Sequence, residues 1–335
     1  MIVWRDPNAV GPPVGESTAG RAVAIGAFDG VHLGHQAVLR LVHDLARARN
    51  LSATVLTFDR HPAEVVRPGS APKLLTTLEQ KLELLEATGA VDECLVLAFD
   101  EARSKEPAED FVGEVLAGVL GARLVVVGAD FHFGYRRHGD VSLLQRMGAE
   151  LGFEVLGLGL VASPESEDAP DGGVPYSSTE ARSLLARGDV ERAAAILGRP
   201  HEVRGRVERG DQRGRELGFP TANVAVPERI CLPADGVYAG TYLGDDGVEW
   251  PAAISLGRRP TFYEESGMLL LEAHLLDFSG DLYGQQAYVR FGRRLRGQER
   301  FEVVDDLIAQ MARDVQTVRE SGAERSPGRS DDVAP

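Results

Sequence analysis

Two histidines, His32 and His35, stand three residues apart in Gly26-Ala27-Phe28-Asp29-Gly30-Val31-His32-Leu33-Gly34-His35. In the first turn of a helix, residues at this spacing share a face. Two imidazoles on one face can donate hydrogen bonds to a phosphate whose negative charge grows in a transition state. The apolar run Ala22–Gly26 precedes them, so the segment joins a strand to a helix. In an open parallel sheet, ligands bind beyond the carboxyl ends of the strands. A helix N-terminus there presents free N–H groups and the positive end of a dipole to phosphate. Gly26, Phe28, Asp29 and Gly30 are phosphate-side candidates by their place in this turn. Gly34 leaves room for a nucleotide against the backbone. The bland alternative, two exposed or capping histidines, is the weaker reading of a strand–turn–helix context. Neither G-x-x-x-x-G-K-[ST] nor G-x-G-x-x-G occurs, which excludes a P-loop.

A second constellation runs from Gly205 to Asn223, GRVERGDQRGRELGFPTAN. Glycines such as Gly205, Gly210 and Gly214 let a loop approach phosphates, and successive N–H groups form an anion nest. Arg215 adds a cation. Thr221 and Asn223 alternate along a strand, so they face one side. A hydroxyl and an amide oxygen suit magnesium, which takes oxygen ligands and shares them with phosphates. Taken alone, the Gly/Arg run is better read as a flexible surface hairpin with solvated arginines; the adjoining LGFPTAN argues against that.

The elements that must position these residues fall into two textures. The first half alternates strands at Ala22–Gly26, Ser52–Phe58, Glu93–Phe99, Arg123–Val127 and Phe153–Leu158 with helical periods over 32–50, 78–87, 107–120 and 141–151. Alternation of this kind implies parallel pairing with helices on both faces, a doubly wound α/β domain. Residues 162–175 form an acidic, Gly/Pro-rich loop, followed by short helices over 179–186 and 190–197. After Pro200 come six short strands, His201–Val207, Thr221–Val226, Gly236–Leu243, Glu249–Ser255, Met268–Leu276 and Gln285–Phe291. Strands without intervening helices imply an antiparallel barrel, closed by a helix over 303–319. The expected division is an extension over 1–19, a nucleotide-binding domain over 20–187, a linker with a short helix over 188–200, a barrel domain over 201–319, and a disordered tail over 320–335.

Composition narrows the partners. The chain has 335 residues, 43% of them hydrophobic, and a net charge of −15. An acidic chain without a basic block is a poor partner for nucleic acid. No apolar run approaches the ~18 residues of a membrane span, and no basic-then-apolar leader is visible. Cys94 and Cys231 form no C-x-x-C pair, and two cysteines in such a chain fit a reducing cytoplasm. The oligomeric state is left open.

With these residues in place, the chain resembles the bacterial bifunctional riboflavin kinase/FAD synthetase family over about residues 20–318. In the first half the carriers are GAFDGVHLGH, TFDRHP (57–62), LLTTLEQKLELLEATGAVD (74–92), GADFHFGYRRHGD (128–140) and SSTEAR (177–182). In the second they are the Gly/Arg loop with LGFPTAN, then DGVYAG (235–240), SLGRRPTF (255–262), LEAHLLDFSGDLYG (271–284) and LRGQERF (295–301). The resemblance implies ATP, riboflavin and FMN as substrates, with magnesium. It implies that His32 and His35 hold the ATP phosphates of an adenylyl transfer. Asp130 would lie by those phosphates or their magnesium, and Ser177, Ser178, Thr179 and Arg182 would hold the triphosphate from the opposite side. Phe58, Asp59, Phe131 and Phe133 become candidates for the flavin or adenine walls, with plain core packing equally open for Phe58. Glu272 becomes the base for phosphorylation of riboflavin; from sequence alone, a strand carboxylate paired with an arginine reads as well. Arg296 and Phe301 would wall the flavin in the kinase site. Three departures stand out: Arg60, where the pattern has Pro; Ala181, where it has Ile; and Arg259, where it has Asn. Two other readings are an H-x-G-H transferase acting on a pantetheine phosphate and a flavin-binding paralogue that has lost one activity and acts as a carrier or sensor.

Overall fold

The structure is a computed structural model that describes residues 1–14, 19–159, 176–210, 214, 217–261 and 264–323; for 259–261, 264–268 and 322–323 it describes the backbone alone. The chain forms two compact units, Met1–Ser178 and Thr179–Pro335.

The first unit runs β1 (Ile2–Trp4), β2 (Arg21–Ile25), α1 (Leu33–Ala48), β3 (Ser52–Phe58), α2 (Ala63–Val66), α3 (Leu78–Ala87), β4 (Glu93–Leu97), α4 (Glu101–Ser104), α5 (Ala108–Asp110), a π-helix (Phe111–Val119), β5 (Ala122–Gly128), α6 (Val141–Leu151) and β6 (Glu154–Leu158). Its six strands are parallel, in the order β1-β4-β3-β2-β5-β6. The order reverses beside β2, between β3 on one side and β5 on the other. That reversal opens a crevice beyond the carboxyl ends. β2 is buried along its whole length, as a central parallel strand must be. Its alternate residues feed opposite faces. Ala22 and Ala24 pack with Leu39 and Val42 of α1 and Leu82 and Leu85 of α3. Val23 and Ile25 pack with Val112, Val115 and Leu116 of the π-helix and Leu144 of α6.

Two features differ from the sequence expectation. Ile2–Trp4, read as part of an extension, pairs with β4 at the sheet's edge. The helix expected over 107–120 turns into a π-helix after Asp110, and the Leu120 N–H bonds the Val115 carbonyl. A Cβ on Gly118 would stand 3.2 Å from the Gly113 carbonyl, so this glycine pair tolerates the wider turn.

The second unit carries α7 (Ser178–Ala186), whose first residue closes the first unit, then α8 (Val190–Leu197) and the strands β7 (His201–Glu208), β8 (Ala222–Val224), β9 (Gly236–Leu243), β10 (Glu249–Thr261), β11 (Glu264–Leu275) and β12 (Gln286–Arg296), and ends on α9 (Val304–Ala323). The strands close an antiparallel barrel, β10-β11-β8-β7-β12-β9. β7 alternates buried with exposed positions, the signature of a strand with one wet face. Tyr238, Tyr242 and Phe291 fill the interior. α9 continues through Ala323, past the end expected at 319, because residues 320–323 keep the helical ladder. The remainder of the expected tail and the loop expected over 162–175 lie outside the described residues.

A buried ion pair ties the first sheet to the segment preceding β2. Arg21 Nε and Nη2 donate to Glu93 Oε2 at 3.0 and 2.9 Å, and Arg21 also donates to the Leu120 and Gly11 carbonyls. Glu93 Oε1 accepts the Val14 N–H. Removing one partner of such a pair strands a buried charge at a cost of about 3–5 kcal/mol. Glu93→Ala should therefore destabilise the first unit by that amount, read as a urea transition at lower concentration; an unchanged midpoint would show that desolvation cancels the pair.

Candidate active sites

The turn between β2 and α1 is backbone-strained. Phe28 (φ 49°), Gly30 (φ 81°) and Val31 (φ 39°) all lie in the left-handed region. For a bulky and a β-branched residue this costs about 1–3 kcal/mol each, and it persists only where surroundings over-determine it. Here they do. The Asp29 carboxylate accepts the Leu75 and Thr76 N–H groups and the Thr76 hydroxyl. Thr76 Oγ1 accepts the Gly30 N–H, and Ser178 Oγ donates to the Asp29 carbonyl at 2.8 Å. The Ala27 carbonyl accepts from Lys81 Nζ and Thr57 Oγ1.

The turn delivers both histidines to the start of α1. His32 is the N-cap, and its Nδ1 accepts the His35 N–H at 3.2 Å. An accepting Nδ1 leaves the proton of the neutral ring on Nε2. The His35 ring stacks on His32 with centroids 3.6 Å apart and meets the Phe28 ring edge-on at 5.1 Å. His35 Nδ1 is buried without a hydrogen-bond partner among the described residues. Burial, the neighbouring His32 and the Lys81 cation together push the His35 pKa well below the ordinary histidine range. His35 is thus kept neutral and both rings are already oriented, which is what stabilising charge that develops on a phosphate requires.

Beside this turn a cavity of about 900 Å³ opens at the carboxyl ends of the strands. Gly26 and Ala27 form part of its floor, and Phe58, Phe99, Phe131 and Phe133 give it aromatic walls. Phe58 meets Phe99 edge-on, and Phe131 stacks on Phe133. Asp59 points instead into a small neighbouring recess. Burial opposes its charge, but the Phe99 N–H and Arg60 hold its carboxyl below the usual range. Arg60, the departure from Pro, is exposed and ion-paired to Asp59 at 3.2 Å. Asp130 is exposed beyond β5 and does not line the cavity.

In the second unit two cavities meet at one residue. A cavity of about 270 Å³ is lined by Gly214, Thr221, Glu272, Arg296 and Phe301, among others. One of about 540 Å³ is lined by Thr221 and Asn223 with the 278–283 loop. Thr221 belongs to both. Glu272 on β11 is in register with Asn223 on β8 and with Ser255 on β10. A Cβ on Gly210 would fall 2.3 Å from the Asn223 amide, so glycine there gives that side chain its place.

A family model described as FAD synthetase matches residues 15–167, and one described as riboflavin kinase matches residues 197–321. The bifunctional riboflavin kinase/FMN adenylyltransferase of Escherichia coli (strain K12) is 39% identical over 302 residues, which is 90% of this chain and 92% of that protein. The chain belongs to this family. The Pseudomonas fluorescens member is 38% identical over 301 residues, covering 90% of this chain and 92% of its own length. A solved structure described as a macrolide-efflux protein from Streptococcus pneumoniae has a TM-score of 0.80 at 28% identity, covering 95% of this chain and 98% of that one. Among the described residues no helix is long and apolar enough to cross a membrane.

Several residues singled out from the sequence sit differently from the expectation. The space at Gly34 is filled by Tyr176, whose Cβ and carbonyl oxygen stand 3.1 Å from where a Cβ would be. Glycine there admits the close approach of Tyr176. Gly205 lies within β7, where a Cβ would overlap the Ala225 carbonyl, so it serves strand packing. The Arg296 guanidinium is turned to Asp314, with contacts of 2.8 and 3.1 Å, and ties β12 to α9. Ser177 and Ser178 belong to the first unit, whereas Thr179 and Arg182 belong to the second with the rest of α7. Ala181 is fully buried there. Arg215 and the Arg259 side chain lie outside the described residues. Sequence reasoning passed over His61 and Phe99 at the large cavity, and His274 and Gln298 at the barrel cavity. His61 stood inside a quoted motif, and His274 lies two residues along the strand from Glu272, on its face.

The lowered His35 pKa has a thermodynamic signature. Near pH 6.5 the unfolded chain takes up a proton that the folded chain refuses until lower pH. Stability then rises with pH, from the lowered native value up to about 6.5, by about 1.4 kcal/mol per pH unit. His35→Asn should flatten that part of the slope in urea midpoints measured between pH 5 and 7. Equal slopes for the two proteins would mean that His35 titrates freely when folded.

Proposed function

We propose that the second unit phosphorylates riboflavin from ATP to give FMN, and that the first unit transfers the adenylyl group of ATP to FMN, giving FAD and pyrophosphate. The observation that carries this reading is, in the first unit, the His32–His35 pair at a glycine-bearing turn beside a cavity walled by aromatic rings; in the second, Glu272 and Thr221 line one cavity and Thr221 and Asn223 another. Both activities are those named for the curated relatives.

In the barrel the riboflavin 5′-hydroxyl would enter the Glu272 cavity and ATP the larger one, meeting at Thr221. The hydroxyl proton goes to the Glu272 carboxylate as the oxygen bonds to the γ-phosphorus and ADP leaves. Thr221 and Asn223 supply hard oxygens suited to magnesium. Among the described residues no cluster of three or more His, Cys, Asp or Glu side chains could hold a metal. Bound magnesium would offset the charge of the triphosphate.

In the first unit an FMN phosphate oxygen attacks the α-phosphorus, and the bond to pyrophosphate breaks. The attacking oxygen is already ionised, so positioning and charge stabilisation suffice. His32 Nε2–H and the His35 ring are the donors, and the aromatic cavity holds the isoalloxazine. Asp130, Ser177 and Ser178 complete the ATP side in this reading. A cytoplasmic location fits two buried cysteines that are not joined in a disulfide, and burial pushes the Cys94 thiol up to about 12.

Separating products by chromatography after incubation with riboflavin or FMN, ATP and magnesium tests both halves. Glu272→Gln should slow FMN formation by about 10²–10⁴-fold while FAD still forms from supplied FMN. His32→Ala should slow FAD formation by about 10²–10³-fold and leave FMN formation intact. A variant that lowers both rates alike would break the assignment of one chemistry to each unit.

A further inference from the structure

One buried charge at the first site takes no part in the chemistry described. Lys81 lies on the face of α3 that carries Leu78, Leu82 and Leu85, and it is 7% exposed. Its ammonium uses all three donors on neutral acceptors: the Phe58 carbonyl at 2.8 Å, Thr57 Oγ1 at 3.0 Å and the Ala27 carbonyl at 3.2 Å. No carboxylate among the described residues lies within ion-pair distance of it. The nearby acids are engaged elsewhere, Asp29 with Leu75 and Thr76, and Asp59 with Phe99 and Arg60. Burial pushes the Lys81 pKa down.

Burying an ammonium without an anion costs several kcal/mol, and a hydrocarbon would fill the same space more cheaply. What distinguishes Lys81 is which acceptors it holds. Ala27 is the first residue beyond Gly26 in the strained turn, and Phe58 ends β3; both line the large cavity. Thr57 Oγ1 accepts from Lys81 and donates to the Ala27 carbonyl, so the three groups form a closed triangle. The ammonium therefore joins the carboxyl ends of two neighbouring strands directly under the histidine turn. The Asp29 and Asp59 carboxylates act on this charge from a distance without pairing with it, so what the ammonium contacts is the root of the turn itself.

We propose that Lys81 is a positioning residue for adenylyl transfer: it fixes the Ala27 carbonyl at the root of the β2–α1 turn, and through it the placing of the histidines. The proposal rests on the adenylyltransferase reading of the first unit.

The test is steady-state FAD formation from FMN and ATP by the full chain, comparing wild type with Lys81→Met and Lys81→Gln. Riboflavin phosphorylation by the same preparations serves as an internal control. Both variants should lower kcat for FAD formation by about 10- to 100-fold. The KM for FMN should move less than about twofold and the kinase rate should hold, because the aromatic walls and the barrel are untouched. A kcat near wild type in either variant overturns the proposal. So does a loss that resides in the KM for FMN, since Lys81 would then shape only the Phe58 wall. If one variant loses the first unit's unfolding transition, the other decides; if both lose it, Lys81 is a stability residue and the proposal falls. A wild-type chain that makes no FAD from FMN overturns the functional reading, and this inference with it.

Discussion

The Ala27 carbonyl and the Asp29 carboxylate hold a turn that would otherwise relax. Three of its residues occupy left-handed conformations, two of them without the excuse of glycine. Their strain is balanced by contacts from α3, from the Leu75–Thr76 segment and from Ser178. Much of the first unit follows from this constraint. The turn must end with His32 as an N-cap, because only then does the His35 N–H fix the His32 tautomer. It must lie beside β5, because the sheet reverses order there and leaves a crevice. Sequence segments far apart in the chain converge on it for that reason, and a change in any one anchor is felt at the histidines.

The two units build their sites by opposite means. A parallel sheet is buried on both faces, so its functional groups must stand on loops at one end. Precision then depends on tying those loops down, and the first unit does so with buried polar groups. An antiparallel barrel presents alternate residues of its strands to the inside. Glu272 and Asn223 therefore take their relative positions from strand register, and Thr221 takes its place from the segment that opens β8. The barrel needs fewer anchors, and its main external tie is the Arg296–Asp314 pair to α9.

Charge is used sparingly in the interior. The chain carries a net −15, and the groups buried around the first site are a lysine on neutral acceptors, a histidine kept neutral and the Asp29 carboxylate held by backbone N–H groups. The Arg21–Glu93 pair, by contrast, is complete in itself and sits at the amino-terminal end of the strands, where it braces the sheet.

The sequence by itself determined the two textures, most helix boundaries and the chemistry of both turns. Periodicity is a local property, and a histidine pair after a strand, or Thr221 and Asn223 after a Gly/Arg loop, can be read within twenty residues. Helices α3, α6 and α8 fall where the apolar spacing and capping residues put them. The edge strand β1 escaped because three residues carry too little pattern, and its pairing is decided by β4. The π-helix escaped because the apolar period is nearly the same for either helix, and the Gly113–Gly118 approach exists only once the turn has formed. The tie of Arg296, a residue of the barrel cavity, to Asp314 exists only once α9 has packed, and the Tyr176 contact at Gly34 only once the first unit has folded. Lys81 was visible as a polar residue on an apolar helix face, but its partners lie 23, 24 and 54 residues away. Which side chains share a cavity, and which buried group answers which, are long-range facts, and only the closed sheet and barrel decide them.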